Sequence, residues 1–261
     1  MSDLVEPASM RIGGVTDMST VDWYGNVSLV VFFAGCNLRC PYCQNSGLLP
    51  PDSGQIVPMS YLEDRLRTGL KPVPQLDAVV FTGGEPLLQP DAVIEAAKLV
   101  KRYGLRIMLD TNGTIYESAR RVLETGLVDR VALDIKAPIN AEEYGRTTGV
   151  PGAGRVSAES VDAVLDLSKE LGLEMEARTT VAPTVSDDPG FIRRIAEDIR
   201  GRVDDYYLQQ FDNQGDVLSP ALKKMERPTK DHMFTLAREA LAAGLERVYV
   251  KTRFEGLVRV Q

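Results

Sequence analysis

Scarcity marks this chain: among 261 residues there are three cysteines, one histidine and one tryptophan, and aromatic residues make up 7%. The cysteines stand too close together, at 36, 40 and 43, to staple a fold by disulfides, and they fit a reducing compartment. No apolar run approaches the roughly 18 residues of a membrane helix, and the first residues, Met1 to Glu6, have neither the basic nor the apolar region of a signal peptide. The expected location is cytoplasmic, with no membrane partner. Positive charge is also short: a formal net charge of −7 gives no footprint for sequence-independent binding to phosphate backbones, so a nucleic-acid partner is not expected. The basic groups at Arg193, Arg194, Arg200 and Arg202, and at Lys223, Lys224, Arg227 and Lys230, read as solvated helix faces.

What is present is ordinary for a globular chain, with 44% hydrophobic and 26% charged residues. No composition break or internal repeat marks a second domain, so the length reads as one domain with a full core. Short β-branched runs alternate with longer amphipathic stretches, the pattern of repeated βα units and a parallel sheet. Strands are expected at 27–33, 78–82, 106–109, 130–133, 174–181, 205–209 and 247–251. The run Val27–Phe33 is apolar almost throughout, as in a strand covered on both faces. Helices are expected at 60–69, 90–103, 118–126, 157–172, 188–201 and 229–244, many ending in a glycine C-cap. The fold class is α/β: a partial, open TIM-type barrel of about six to seven parallel βα units. It would span 27–251, with a short leader hairpin in 1–26 and a tail at 252–261. The segments 71–74 and 212–228 read as loops, the latter long enough to cover or gate a rim.

Polar residues gather where the expected strands end. Cys36 follows the first, Gly83-Gly84-Glu85 the second, Asp110-Thr111-Asn112-Gly113 the third and Asp134-Ile135-Lys136 the fourth. Arg178-Thr179-Thr180 lies late in the fifth, Gln209-Gln210 ends the sixth and Lys251-Thr252-Arg253 the seventh. In a barrel of parallel strands these positions converge on one rim, where active sites of such folds sit.

The spacing Cys36-x3-Cys40-x2-Cys43 offers three thiolates to one metal centre, with no fourth cysteine in the chain. A cubic iron–sulfur cluster ordinarily takes four cysteines, so three imply an iron open to another ligand. A zinc site of the Cys3His kind is the alternative, but the one histidine, His232, lies far along the chain and reads as structural, behind Thr229 as N-cap.

Cys36-x3-Cys40-x2-Cys43, with Tyr42 before the last cysteine, resembles the signature of radical S-adenosylmethionine (SAM) enzymes. Phe81-Thr82-Gly83-Gly84-Glu85-Pro86 resembles the family's glycine–glycine–glutamate element, and the likeness extends from about Ser19 to Lys251. Within that superfamily, Ser19-Thr20-Val21-Asp22, the stretch 33–45, Leu109–Gly113 and Leu133–Lys136 are similar to the activating enzymes of glycyl radical enzymes, especially those of anaerobic ribonucleoside-triphosphate reductase.

The resemblance implies a [4Fe-4S] cluster whose open iron chelates SAM. One electron, from a donor such as flavodoxin or ferredoxin, would cleave SAM to methionine and a 5′-deoxyadenosyl radical, with the protein positioning and shielding the cofactors. By position, the backbone around Gly83 and Gly84, with Glu85, would receive the methionine amino group. Tyr42 would face adenine, and Lys136 and Arg178 would serve the carboxylate or ribose side, with Asn112 in the same cofactor-binding set. Asp110, Thr111 and Asp134 resemble an oxygen cluster holding a monovalent cation, which would relieve repulsion between two rim carboxylates. Plainer readings stand beside these: 110–113 as a turn, Asp134 and Lys136 as a rim ion pair, and Arg178 as a partner for Glu176 on the same strand face. Departures exist too. Gln44 stands where many such activators carry histidine after the last cysteine, and Gln209-Gln210 where some carry one after the sixth strand.

Three functions compete. The first is an activase that removes an α-hydrogen from a glycine of a partner glycyl radical enzyme, for which a partly open barrel is expected. The second is a radical enzyme acting on a small metabolite or an RNA nucleotide, favoured by a closed rim. The third is a protein that merely holds iron–sulfur or zinc, which leaves the second motif and the polar rim unexplained.

Overall fold

The near-continuous apolar runs become the buried centre of a ten-stranded sheet in the order β10-β9-β8-β7-β6-β5-β4-β2-β1-β3. The computed structural model describes residues 9–71 and 75–261, so most of the loop expected at 71–74 lies outside the described residues, as does the start of the leader. The strands are β1 (Ser9–Ser19), β2 (Ser28–Phe33), β3 (Gln55–Pro58), β4 (Ala78–Gly83), β5 (Arg106–Thr111), β6 (Arg130–Asp134), β7 (Glu174–Val181), β8 (Asp205–Gln210), β9 (Val248–Thr252) and β10 (Gly256–Arg259). From β2 through β4 to β9 every neighbouring pair is parallel. Among the described residues the sheet does not close; its outermost strands are β3 and β10.

Helices α1 (Met59–Gly69), α2 (Pro90–Arg102), α3 (Tyr116–Leu123), α4 (Ala141–Thr147), α5 (Gly154–Glu170), α6 (Pro189–Ile199), α7 (Pro220–Lys223) and α8 (Lys230–Ala242) complete the fold. The apolar stripes of the longer helices cover the outward face of the sheet, where Leu29, Val31, Phe33, Val79, Phe81 and Leu109 are fully buried. Phe33 and Phe81 meet edge to face, with ring centroids 5.8 Å apart. Each such buried side chain contributes roughly 1.5–3 kcal/mol over exposure.

Three differences from the sequence expectation stand out, two of them antiparallel additions and the third a short helix. The leader contributes one strand, β1, which forms its hairpin with β2 and carries β3 on its other side. The expected tail includes β10, paired antiparallel with β9. The 212–228 loop contains the short helix α7.

Between β1 and β2 the chain turns into the concave side of the sheet. Trp23, 4% exposed, packs there with Val30, Ala78, Val80, Met108 and Ala132, and Arg106 stacks 4.3 Å over its ring. The Val21 carbonyl accepts a hydrogen bond from Lys251 Nζ at 2.9 Å. The segment 20–26 thereby floors the barrel and reaches β9, so the open sheet keeps a filled interior.

Candidate functional site

The Cys36–Cys43 loop leaves the end of β2 and is held from several sides. Arg39 donates to the carbonyls of Cys36 (2.8 Å) and Leu38 (2.7 Å), and its backbone N–H reaches Thr148 O at the end of α4. From the far end of the sequence, Leu218 N–H donates to Cys43 O at 3.0 Å and Ser219 N–H to Pro41 O at 2.9 Å. Asp216 accepts from Ser46 Oγ at 2.7 Å and Gly47 N–H at 2.9 Å. The loop expected to cover or gate the rim is thus docked beside the cysteines.

All three cysteines are free thiols. They sit among Leu38, Ala182, Phe211, Val217 and Leu222, an apolar lining that disfavours thiolate. Burial pushes the Cys36 thiol up to about 12 against a weaker opposing hydrogen bond from Leu38 N–H, and it also raises Cys40 and Cys43.

A cavity of about 250 Å³ opens over these sulfurs. Its wall includes Cys36, Cys40, Cys43 and Tyr42 from the loop, Gly83 and Gly84 from the end of β4, and Asp110, Thr111 and Asn112 from β5 and its turn. Asp134, Lys136, Arg178, Thr180, Gln209 and Gln210 complete it from later strands. The structure therefore brings every residue expected at the site to this cavity or, for Glu85, directly behind it.

Glu85 points away from the opening. Fully buried, its carboxylate accepts from Leu87 N–H (3.0 Å), Thr111 Oγ1 (2.7 Å) and Asn112 N–H (2.7 Å), tying the end of β4 to the end of β5. Burial raises its pKa to about 7 against those three donors. The glycines before it are demanded by the chain itself. A Cβ on Gly83, which has φ +120°, would lie 2.3 Å from Phe33 O, and one on Gly84 would lie 2.1 Å from Gly35 O. Close approach here is of β4 to β2, which lets the cysteine loop fold back over the strand ends.

The charged wall is internally balanced. Lys136 Nζ lies 2.9 Å from Asp134 and 6.0 Å from the centroid of the buried Tyr42 ring. Burial alone would weaken the ammonium, but Asp134, Tyr42 and Cys40 together hold its pKa well above the ordinary lysine value. Arg178 donates through Nη1 to Asp110 at 3.0 Å and through Nε to Glu176, its neighbour on the inner face of β7. Glu176 also accepts from Arg130, at 3.0 and 2.6 Å, and Arg130 reaches Asp205 at 2.9 Å, so a buried ionic chain runs from the barrel interior to the rim. Burial lifts Asp110 to about 6, with Arg178 opposing. Asp110 Oδ1 has no hydrogen-bond partner among the described residues.

This pairing changes the case for a monovalent cation at Asp110, Thr111 and Asp134. The likeness to a cation-binding oxygen cluster stands, but the repulsion that a cation would relieve is already met in part, since Arg178 faces Asp110 and Lys136 faces Asp134. The zinc alternative loses its fourth ligand: His232 Nε2 lies 2.8 Å from Asp187 O at the start of α8 and does not line the cavity. Three thiols in an apolar bed, beside a cavity with an unpaired acceptor and two cations, fit an iron–sulfur cluster with an amino-acid-bearing ligand.

Sequence reasoning missed Asn37 and Thr114. Asn112 Nδ2 donates to Asn37 Oδ1 at 3.0 Å, Asn37 Nδ2 to Thr114 Oγ1 at 2.8 Å, and Asn112 Oδ1 accepts from Thr114 N–H at 2.9 Å. This network supports the cysteine loop on the β5 turn. Its only sequence signal was an asparagine enclosed within the cysteine triplet.

The sequence model of the Radical SAM superfamily matches residues 30–195. A Methanocaldococcus jannaschii protein provisionally named a glycyl-radical enzyme activating enzyme is 32% identical over 230 residues, 88% of this chain and 91% of its own. Pyruvate formate-lyase-activating enzyme of Clostridium pasteurianum is 34% identical over 196 residues, covering 73% of this chain and 76% of its own. A radical SAM methyltransferase from Sphaerobacter thermophilus superposes with a TM-score of 0.71 over 88% of this chain and 67% of its own, at 15% identity, a likeness of fold alone.

Proposed function

The chain belongs to the Radical SAM superfamily, and from that premise we propose that it is an activating enzyme that abstracts the α-hydrogen of a glycine in a partner glycyl radical enzyme. Enzymes of this superfamily use a [4Fe-4S] cluster and SAM; with both bound, one electron passes to the sulfonium and releases methionine and a 5′-deoxyadenosyl radical. Cys36, Cys40 and Cys43 would hold the cluster. The charged wall of Asp110, Asp134, Lys136 and Arg178 would orient the methionine end. Tyr42, buried beside Lys136, would offer its face or backbone to adenine.

The observation that carries the activase reading is the open sheet: a cavity at the carboxyl ends of parallel strands, over the cysteines, in a barrel with no closing strand pair among the described residues. A protein loop can enter such a rim, which a closed barrel would deny to it. The similarity to relatives named as activating enzymes supports the same reading. Anaerobic ribonucleotide reductase is the partner we infer, on the sequence likeness of 33–45. The test is anaerobic incubation with that partner deuterated at the glycine α-position, SAM and a low-potential reductant. A glycyl radical signal with deuterium in 5′-deoxyadenosine is expected. SAM cleavage with no deuterium transfer from any glycyl radical enzyme of the source cell would overturn the proposal.

A further inference from the structure

The cavity wall divides by chemistry. On one side lie Asp110, Asp134, Lys136 and Arg178, each charged and paired. On the other lie Gln44, Asn45, Thr180, Gln209 and Gln210, none of them charged. Gln210 is committed, since its Nε2 donates to Pro228 O at 2.7 Å and its Oε1 accepts from Arg253 N–H at 3.2 Å. Gln44 Nε2 is bound to Asp212 O at 2.8 Å. Gln209 differs: it stands in register with Thr180 across the β7–β8 pair and faces the cavity, and neither end of its amide is engaged among the described residues.

Around it Arg253 and Arg227 share the one carboxylate of Asp212, and Lys251 donates to Val21 O, so what the uncharged amide of Gln209 adds on this side is hydrogen bonding and not charge. A peptide backbone carries no charge and alternates N–H with C=O, which is the donor and acceptor pair that a free primary amide offers.

We propose that Gln209, with the Thr180 hydroxyl beside it, hydrogen-bonds the backbone of the peptide segment presenting the reactive glycine and sets its register. This rests on the activase reading and names the residues through which that site takes a peptide.

The test uses cluster-loaded protein with SAM and no reductant. The probe is a fluorescein-labelled peptide carrying the reactive-glycine loop of the source cell's anaerobic ribonucleotide reductase. Gln209→Leu is expected to weaken peptide binding about tenfold, the loss of one or two neutral hydrogen bonds. Equilibrium affinity for SAM should hold, and in turnover KM for the peptide should rise with kcat retained. Thr180→Val, which keeps volume and strand preference, should act in the same direction, and it decides the matter if Gln209→Leu folds poorly. Unchanged peptide affinity in both variants overturns the role of these residues while leaving the activase reading in place. An equal fall in SAM affinity overturns it as well, by placing Gln209 against the cofactor. Failure of the wild-type protein to bind the peptide, together with no deuterium transfer from any glycyl radical enzyme of the source cell, overturns the activase reading itself.

Discussion

Replacing Glu85 with glutamine tests whether this carboxylate is a structural tie with a displaced pKa. The group is fully buried, and burial lifts its pKa from the ordinary 4.5 to about 7. A carboxyl group raised on folding stabilises the native state in its protonated form. That contribution is therefore complete below the unfolded pKa and is lost as pH rises through the folded one. Integrating between these values, the wild type should lose about 2.5 kcal/mol from this group between about pH 5 and about pH 8. Glutamine does not titrate, but its NH2 must face at least one of the donors Leu87 N–H, Thr111 Oγ1 or Asn112 N–H, at a cost of about 1–3 kcal/mol at every pH. Glu85→Gln should thus be clearly less stable than wild type near pH 5, and the gap should narrow towards zero near pH 8. Anaerobic urea unfolding of cluster-free protein, both forms in parallel across that range, isolates the group because other titrations cancel in the difference. A stability difference that stays constant with pH would refute the raised pKa and the reasoning from burial.

Gly84→Ala, which would set a Cβ 2.1 Å from Gly35 O, should cost about 2 kcal/mol or more and lower iron and acid-labile sulfide per chain after reconstitution. Because burial holds the cysteine thiols in their protonated form, cluster uptake should quicken as pH rises and release protons, read by iron–sulfur absorbance and an indicator dye. Lys136→Met leaves Asp134 without its ion-pair partner and should weaken SAM binding about tenfold by equilibrium titration, with the melting temperature little changed. Trp23 is the only tryptophan, so intrinsic emission should be blue-shifted and shielded from acrylamide; Trp23→Ala should cost about 3–5 kcal/mol.

The parallel centre of the fold was legible because strands covered on both faces are written as apolar runs; Glu174–Val181 has the bounds expected of it. The antiparallel additions were not, because β1, β3 and β10 are half exposed, mix polar with apolar residues, and two of them are only four residues long. Helix α4 escaped hydrophobic periodicity, yet Asn140 accepts from Glu143 N–H at 3.0 Å and donates to its carboxylate at 3.0 Å, a reciprocal cap written in the sequence as Asn-x-x-Glu. At the site, motif positions showed which residues gather but not where they point. The inward turn of Glu85 depends on the donors of β5, and the Asp110–Arg178 pair spans β6, a contact between strands that are not neighbours in the sheet.

The clamp on the cysteine loop has a consequence for the order in which the protein is made. The three thiols leave the ribosome long before the backbone donors that grip Pro41 and Cys43, which belong to residues 218 and 219. A nascent chain therefore displays its three cysteines without this clamp until those residues emerge. Loading at that stage meets a pliable loop; loading after release meets a loop already fixed by its own distant sequence, reachable only through the rim. Truncation before residue 218 would remove the clamp and leave the cysteine loop in its pliable form.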